Sequence, residues 1–540
     1  MQQRKTIRAT VGESLFYLLP RLEQDPAPPI WPPDVFGLCM ALLLKSGAYS
    51  SVLATWPPSE SKELSSAESW TEKVAQVGGS WQAAWTKREV PAEVGAAWKT
   101  VMGSLQVPIC ELCQATALAQ SLLNLCAFSD EASGNIGVPH EEPTENAEFY
   151  SHADLLLEPN DYGSTLCEEI DQTRIRVLPK MRTPQSGLTI RSFSHNLSFC
   201  GESEVRPKWF TVPSFSPEGL CLNLLIVPWP MRIDPSQFCP TEPLKSEMQN
   251  LPGDFGFFTF VHKKEEVEEV VRVVSRLYEA GVAKLGRIDG VILPEAAVSV
   301  DGHRALSKWV LEKEAFLITG VGEPSKAGIE HGTNMVHVDI PGMELLTQKK
   351  HHRWKLDGSQ IAQYGLGGRL HPEKIWWEHI SVTDRQIVFL SMLPWLVMCP
   401  LICEDLARPD PIGDVIRAVG PNLIVALLMD GPQIKERWGA RYATTLADDP
   451  GSSVLSITSL GMAGLSRALH SAVNRSRVIA LWKDPQSGGA TEIELPAGSD
   501  AVVISLTVRY LEEWTADGRS DGRNAGCPML SGIHSVRLQI

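Results

Sequence analysis

From Cys221 onward the chain alternates short apolar strands with amphipathic helices, and this alternation restricts the fold more than any other feature of the 540 residues. The strings "NLLIVPW", "GFFTFV", "DGVILP", "AFLITGV" and "MVHVDI" read as buried strands, and "PLIC", "NLIVALL", "SVLSITS", "VIALW" and "AVVISLTV" continue the series. Between them, "KKEEVEEVVRVVSRLYEAG" places Val267, Val270, Val271, Val274 and Leu277 on one helical face, with Gly281 as its expected end. Further helices are expected over "HRALSKWVLEKE" and over Trp438 to Leu446. Such a pattern predicts an α/β domain whose sheet is covered by helices.

The first 130 residues differ. Apolar spacing and cap signals predict a mainly α-helical N-terminal domain, with helices from Asp34 to Gly47, from about Pro91, and over Cys110 to Phe128. Residues 131–215 are expected to be an acidic linker, typified by "HEEPTENAEF", followed by a basic β-rich connector. In that connector Arg174, Arg176, Lys180, Arg182 and Arg191 all precede the next acid, Glu202; a solvated β-ribbon is favoured over a surface for an anionic ligand or partner. The α/β domain then spans 216–515, and 516–540 reads as a C-terminal tail. The function of the Trp-rich N-terminal helices is not readable; they pack on the α/β domain or bind a partner.

A formal charge of -15 argues against a protein that coats nucleic acid or anionic membrane through bulk electrostatics. The longest apolar run, Val35 to Leu44, falls well short of the ~20 residues a bilayer span needs. The apolar patch Leu15 to Leu19 is too brief for a signal peptide, so a cytoplasmic protein with mostly reduced thiols is expected from the eleven cysteines. Cys110 and Cys113 have CxxC spacing without a second pair at zinc-ribbon distance, which favours two ordinary thiols on one helix.

Three segments fall where strands end, the place where open α/β sheets hold ligands. They are "ILPEA" with Glu295, "QKKHHRW" with Lys349 and Lys350, and "LICEDL" with Cys403. Singly, each has an ordinary structural reading: a helix-start carboxylate, a solvated lysine pair, a small buried hydrophobe. A thiol with a pKa near 8.5 needs a base or a favourable field to attack a carbonyl at neutral pH.

The order and the spacing, about 55 residues from Glu295 to Lys350 and about 53 more to Cys403, resemble the nitrilase superfamily of carbon–nitrogen hydrolases. The resemblance runs from about Leu222 to Val508 and includes "VPWP", the "PE" at Glu295, Lys-x-His at Lys350 to His352, "ICED" at Cys403, and "NLIVALLMD" with "RWGARYATTLADDPGSSVLSITSLG" downstream. It implies a four-layer α-β-β-α sandwich. It implies Glu295 as general base, Lys350 as the cation, Cys403 as nucleophile, and the backbone N–H of Glu404 as an oxyanion donor. The substrate would be a small-molecule amide or nitrile, with no cofactor and no metal, in a homo-oligomer. Lys349 also satisfies Lys-x-His; Lys350 is preferred because Trp354 then falls where the family places a bulky residue. For the second glutamate that many members carry, Glu378 and Glu373 are candidates. His351 and His352 are not expected to share a ligand, because adjacent strand residues point to opposite faces.

"ICED" also resembles the glutaminase domain of glutamine-dependent NAD synthetases, but the only string near their phosphate loop, "SGGAT" from Ser487, lacks the Asp-Ser and reads as a hairpin turn. The stretch "VLPKMRTPQSGLTIRSFSHNL" with the following domain is similar to the C-terminal portion of bacterial defence reverse transcriptases that carry a nitrilase-like domain. No Tyr-x-Asp-Asp polymerase signature occurs. This likeness implies a stand-alone companion of a reverse transcriptase and its nucleic acid in antiviral defence. The alternative to an amidase is then an interaction or assembly module with catalysis secondary.

Overall fold

A computed structural model describes residues 9–52, 67–139, 146–184, 187–213, 215, 220–246, 252–264, 266–466, 476–520, 522 and 524–538. The chain forms two compact units: Met1–Thr211 with Asp414–Pro421 and Tyr510–Gly526, and Val212–Gly413 with Asn422–Arg509 and Cys527–Ile540.

The first unit contains helices α1 (Val11–Leu18), α2 (Pro32–Ser46), α3 (Ala48–Val52), α4 (Ala67–Ala84), α5 (Ala92–Met102), α6 (Thr116–Ala132) and α7 (Ala147–Leu157). Strands β1 (Arg176–Pro179), β2 (Leu197–Cys200) and β3 (Arg206–Thr211) follow. Helix α6 is its axis, with α2, α4 and α5 packed around it. Helix α2 begins at Pro32, two residues ahead of the expectation, because both prolines fit the first turn, where no N–H is needed. It ends at Gly47 in the left-handed region as expected. The Cys110–Phe128 expectation divides into a tight turn of helix over Ile109–Gln114 and then α6. Trp31, Trp81 and Trp98 are buried in the core. Each indole N–H donates to a backbone carbonyl, of Leu166, Ile30 and Pro26 respectively.

Of the expected connector, 131–215, the described residues up to Thr211 belong to the first compact unit. They carry the end of α6, α7 and β1–β3, and the antiparallel pair β1–β2 packs on α2. Of the acidic string, 140–145 lie outside the described residues, as do Gln185 and Ser186 of the expected turn. The basic run is not a solvated ribbon. Lys180 is buried and donates to the carbonyls of Arg191 and Ser194, and Arg191 donates to Met181 O and Thr183 Oγ1 at 2.9 Å. These side chains satisfy backbone carbonyls that helix and sheet leave unpaired. The described residues of the expected tail, 516–540, include a strand over Asn524–Val536 and a buried arginine. Buried Arg519 donates to Asp517 at 2.9 Å and to Phe193 O at 2.8 Å, and lies 3.4 Å from Asp130. Asp130 in turn accepts the N–H groups of His195, Asn196 and Leu197.

The second unit begins with β4 (Cys221–Ile226), β5 (Phe238–Thr241), β6 (Phe255–Phe260), α8 (Glu266–Leu285), β7 (Gly290–Ile292), α9 (Val300–Leu311), β8 (Phe316–Glu323), β9 (Thr333–Asp339) and β10 (Leu346–Lys349). It continues with β11 (Lys355–Leu356), α10 (Gly358–Gln363), β12 (Ile375–Glu378), β13 (Gln386–Leu393), β14 (Leu396–Ile402), α11 (Gly413–Val419, largely in the first unit) and β15 (Leu423–Leu428). The remainder is α12 (Trp438–Asp448), β16 (Ser453–Thr458), α13 (Leu460–Leu465), β17 (Val478–Lys483), β18 (Thr491–Glu494), β19 (Ala501–Glu512) and β20 (Asn524–Val536).

One sheet has the order β10-β9-β8-β7-β4-β19-β20, and in a second β18-β17-β16-β15-β14-β13 are consecutive. Each has a parallel trio, β4-β7-β8 and β14-β15-β16, flanked by antiparallel strands. Helices α8 and α9 cover the first sheet through Val270, Val274, Leu277 and Leu306 against Leu225, Val291, Leu317 and Val503. Helix α12 covers the second over β16 and β17. Fully buried Gln348 of β10 joins the two sheets, donating to Pro400 O of β14 at 2.9 Å and accepting from Val388 N of β13 at 2.8 Å. The result is an α-β-β-α sandwich. Helix α8 runs past Gly281 to Leu285, because Gly281 is a packing residue: a Cβ there would meet Ile288 at 3.2 Å. The hairpin expected around Ser487 joins the antiparallel strands β17 and β18.

Between α9 and β9, His337 Nδ1 lies 3.2 Å from His303 Nδ1, and His303 Nε2 lies 2.7 Å from Asp339. Burial, reinforced by His303 and opposed by Asp339, pushes the His337 imidazole down to about 4 from 6.5. The unfolded chain therefore binds the extra proton between these values, so stability rises with pH across that window, by roughly 3 kcal/mol at most, and is fully present above pH 6.5. Denaturant unfolding at pH 4.5 and 7 should show this difference, and His337→Gln should reduce it.

Candidate active site

Strand β7 ends at Ile292, and Leu293-Pro294 carries the chain to Glu295, which is 3% exposed. The next residue, Ala296, has φ +46°, a strained value for a residue with a side chain. Gly320 of β8 makes room for this turn, since a Cβ there would stand 2.5 Å from Glu295 Cα and Pro294 O. Cys403 follows β14 directly, opens a short helical turn over Cys403–Leu406, and has φ +45°. Strain recurs beside both groups expected to react.

Lys350 follows β10, and its N–H donates to Asn334 O at 2.9 Å. Its ammonium lies between two carboxylates, 2.8 Å from Glu295 Oε1 and 2.7 Å from Glu378 Oε2, with its side chain 1% exposed. Asn334 Nδ2 donates to both Glu295 Oε1 and Glu378 Oε1 at 2.8 Å. The remaining Glu295 oxygen accepts Met429 N–H at 2.6 Å, and Glu378 Oε2 accepts Trp354 N–H at 3.1 Å. Lys350 is the lysine that meets the two carboxylates, whereas Lys349 is partly exposed and faces Asp384 at 3.3 Å. Of the two further glutamates, Glu378 enters the site and Glu373 is exposed.

His351 and His352 do share a partner, contrary to the strand-alternation argument. Strand β10 ends at Lys349, so the alternation stops, and both Nδ1 atoms reach Asp405, at 3.0 and 2.9 Å. Although burial opposes its ionisation, hydrogen bonds from the two histidines hold the Asp405 carboxyl below its usual range. The pair thus anchors the turn that carries Cys403. Among the described residues no cluster of three or more His, Cys, Asp or Glu could hold a metal ion.

Burial pushes the Cys403 thiol well up, Glu295 adds to this, and Lys350 opposes it. Burial likewise raises the Glu295 carboxyl, against the pull of Lys350 and with Glu378 adding to the rise. Burial disfavours the Lys350 charge, but Glu295 and Glu378 outweigh it and hold the ammonium well above its ordinary value. The resting arrangement is therefore a protonated thiol facing a carboxyl of raised basicity and a persistent cation.

Cys403 opens on a cavity of about 160 Å3 lined also by Trp354, Tyr364, Met429, Arg437 and Trp438. Its polar wall centres on Asp430, which accepts from Trp438 Nε1 at 2.9 Å, from Arg437, and from the Tyr364 hydroxyl. The sequence reading missed Asn334, Asp430 and Tyr364, since none belongs to a motif string that marks it; Asp430 was quoted only as the end of "NLIVALLMD".

No protein-family model and no curated protein matches this chain. Among solved structures the chain is similar to a Saccharomyces cerevisiae protein of branch 10 of the nitrilase superfamily, at 13% identity over 54% of this chain and 93% of that one, TM-score 0.33. A CN-hydrolase superfamily protein from Xanthomonas campestris matches at 14% identity over 54% and 91%, TM-score 0.32. An amidase from Nesterenkonia sp. matches at 9% identity over 54% and 93%, TM-score 0.32.

Replacing Lys350 by Ala should leave two buried carboxylates facing each other and cost about 3–5 kcal/mol in denaturant unfolding, whereas Lys349→Ala should stay within about 0.5 kcal/mol.

Proposed function

We propose that this chain is a cysteine-dependent hydrolase of small, non-peptide amides or nitriles that works through Glu295, Lys350 and Cys403. The observation that supports this reading most is the buried Glu295–Lys350–Glu378 ion triad, two members of which act electrostatically on Cys403, a cavity-lining thiol held at a positive φ. A structural cysteine needs neither a base nor a cation beside it.

In an amide reaction, Cys403 sulfur attacks the carbonyl carbon as its proton passes to Glu295. Lys350 and the Glu404 N–H stabilise the oxyanion. Collapse breaks the C–N bond, Glu295 returns the proton to the departing amine, and a thioester remains on Cys403. Water then attacks the thioester, Glu295 takes a proton from it, and the acid leaves with the thiol restored. Glu378 does not exchange protons in this scheme; it keeps Lys350 charged and held beside Glu295. A volume of about 160 Å3 lies below the usual ~300–1,000 Å3 of ligand pockets, which favours a compact acyl group.

Ammonia release from a panel of small amides and nitriles tests the reading. Cys403→Ala should abolish turnover, and Glu295→Gln should lower kcat by on the order of 10^2 to 10^4. Because the base must be ionised and its carboxyl is raised by burial, kcat/KM should fall with decreasing pH through a midpoint above the ordinary carboxylate range. Undiminished hydrolysis by Cys403→Ala would remove the cysteine from the mechanism.

A further inference from the structure

We infer that Arg437 selects the acyl group presented to Cys403, donating from Nη1 to an uncharged oxygen on the chain of a short amide. The inference deepens the hydrolase reading and rests on it for the bond that is cleaved, while occupation of the cavity is measured without turnover.

Besides the thiol, three ionisable side chains line the cavity of about 160 Å3, namely Glu404, Asp430 and Arg437 with Tyr364 beside them. The charged ones are already paired. Glu404 Oε2 accepts from Arg408 Nε at 3.2 Å, and Asp430 accepts from Arg437 through Nε at 3.3 Å and through Nη2. A charged ligand would give up its water in this lining and find no free counter-ion. The acyl group that fits is therefore uncharged.

Asp430 has no acceptor position left for a ligand. Its Oδ1 takes the Tyr364 hydroxyl and Arg437 Nη2, and its Oδ2 takes Trp438 Nε1 at 2.9 Å and Arg437 Nε. The Tyr364 oxygen is occupied too, accepting Gly431 N–H at 3.3 Å and Arg437 Nη2 at 3.4 Å. These bonds fix the plane of the guanidinium. They engage Nε and Nη2, and Nη1 has no hydrogen-bond partner among the described residues. Gly431 keeps the space beside that nitrogen, since a Cβ there would stand 3.1 Å from Nη1.

A second donor on the wall is in the same condition. Gln360 Oε1 accepts Asp357 N–H at 3.2 Å, while its Nε2 has no partner among the described residues. The lining thus offers N–H groups in want of an acceptor. An amide whose chain is all hydrocarbon would cover these donors without pairing them, which weakens its binding; an ether or hydroxyl oxygen on the chain pairs them. Cavity volume limits the length of the acyl group, and Arg437 sets its chemistry.

Three amides of similar size separate these requirements. Methoxyacetamide and butyramide differ by one oxygen in place of one methylene, and malonamate carries a carboxylate instead. Each is measured on the full chain by ammonia release, as kcat/KM, and by protection of Cys403 from iodoacetamide, read by peptide mapping. The expected result on either readout is a preference of about tenfold or more for methoxyacetamide over both others. In Arg437→Lys, which keeps a cation beside Asp430 but lacks the free nitrogen of the fork, the preference over butyramide should fall to about threefold or less. A ratio between two ligands does not move when a variant merely loses fold or activity, and the wild-type ratios stand without the variant. Preference in protection with no ammonia released from any amide removes the hydrolase reading and leaves the selection intact. Equal protection by methoxyacetamide and butyramide, preference for malonamate, no protection by any of the three, or an unchanged ratio in Arg437→Lys overturns the inference.

Discussion

The second unit's chemistry depends on one buried cation. Lys350 is 1% exposed and lies within 2.8 Å of two carboxylates, so the charge balance of the site is fixed before any ligand arrives. A lone ammonium at such a position would lose its proton, and a lone carboxylate would gain one. The two glutamates hold the Lys350 ammonium charged against its burial, and Asn334 closes the arrangement by donating to both of them. The thiol of Cys403 feels both Glu295, which pushes it up, and Lys350, which opposes that.

The sandwich delivers these groups from both of its sheets. The middle strands of the two parallel trios, β7 and β15, end where Glu295 and Met429 begin, and the Met429 N–H to Glu295 bond joins those ends. Lys350 leaves β10 of the first sheet and Cys403 leaves β14 of the second, while Gln348 ties the same two strands together two residues before the lysine. Rigid strands thus set the distance between cation and thiol, and the positive-φ residues Ala296 and Cys403 turn the side chains inward at their ends. Asp405, gripped by two histidines, ties the Cys403 turn to the end of β10.

The α/β region was legible because buried strands write themselves as apolar runs and amphipathic helices as 3.6-residue stripes. Glu295, Lys350 and Cys403 stood out by their order and spacing rather than singly, and the structure brings the first two together at 2.8 Å. What stayed hidden has a common cause: contacts between residues far apart in the chain. Arg519 reaching Asp130, Lys180 satisfying the carbonyls of Arg191 and Ser194, and Asn334 bridging two glutamates leave no local pattern. The basic run looked solvated because burial of a charge is decided by its partner, which composition does not reveal. Gly281 looked like a helix end because only packing against Ile288 distinguishes a stop from a close approach.

The central claim is that one of eleven cysteines carries the acyl group, and intact-mass spectrometry followed by peptide mapping tests it directly. After brief incubation with a hydrolysable small amide and acid quench, the account predicts a mass increase equal to the amide minus ammonia, confined to the peptide containing Cys403 and absent from Cys403→Ala. An adduct on another cysteine, or turnover in which Cys403 never becomes acylated, would contradict it.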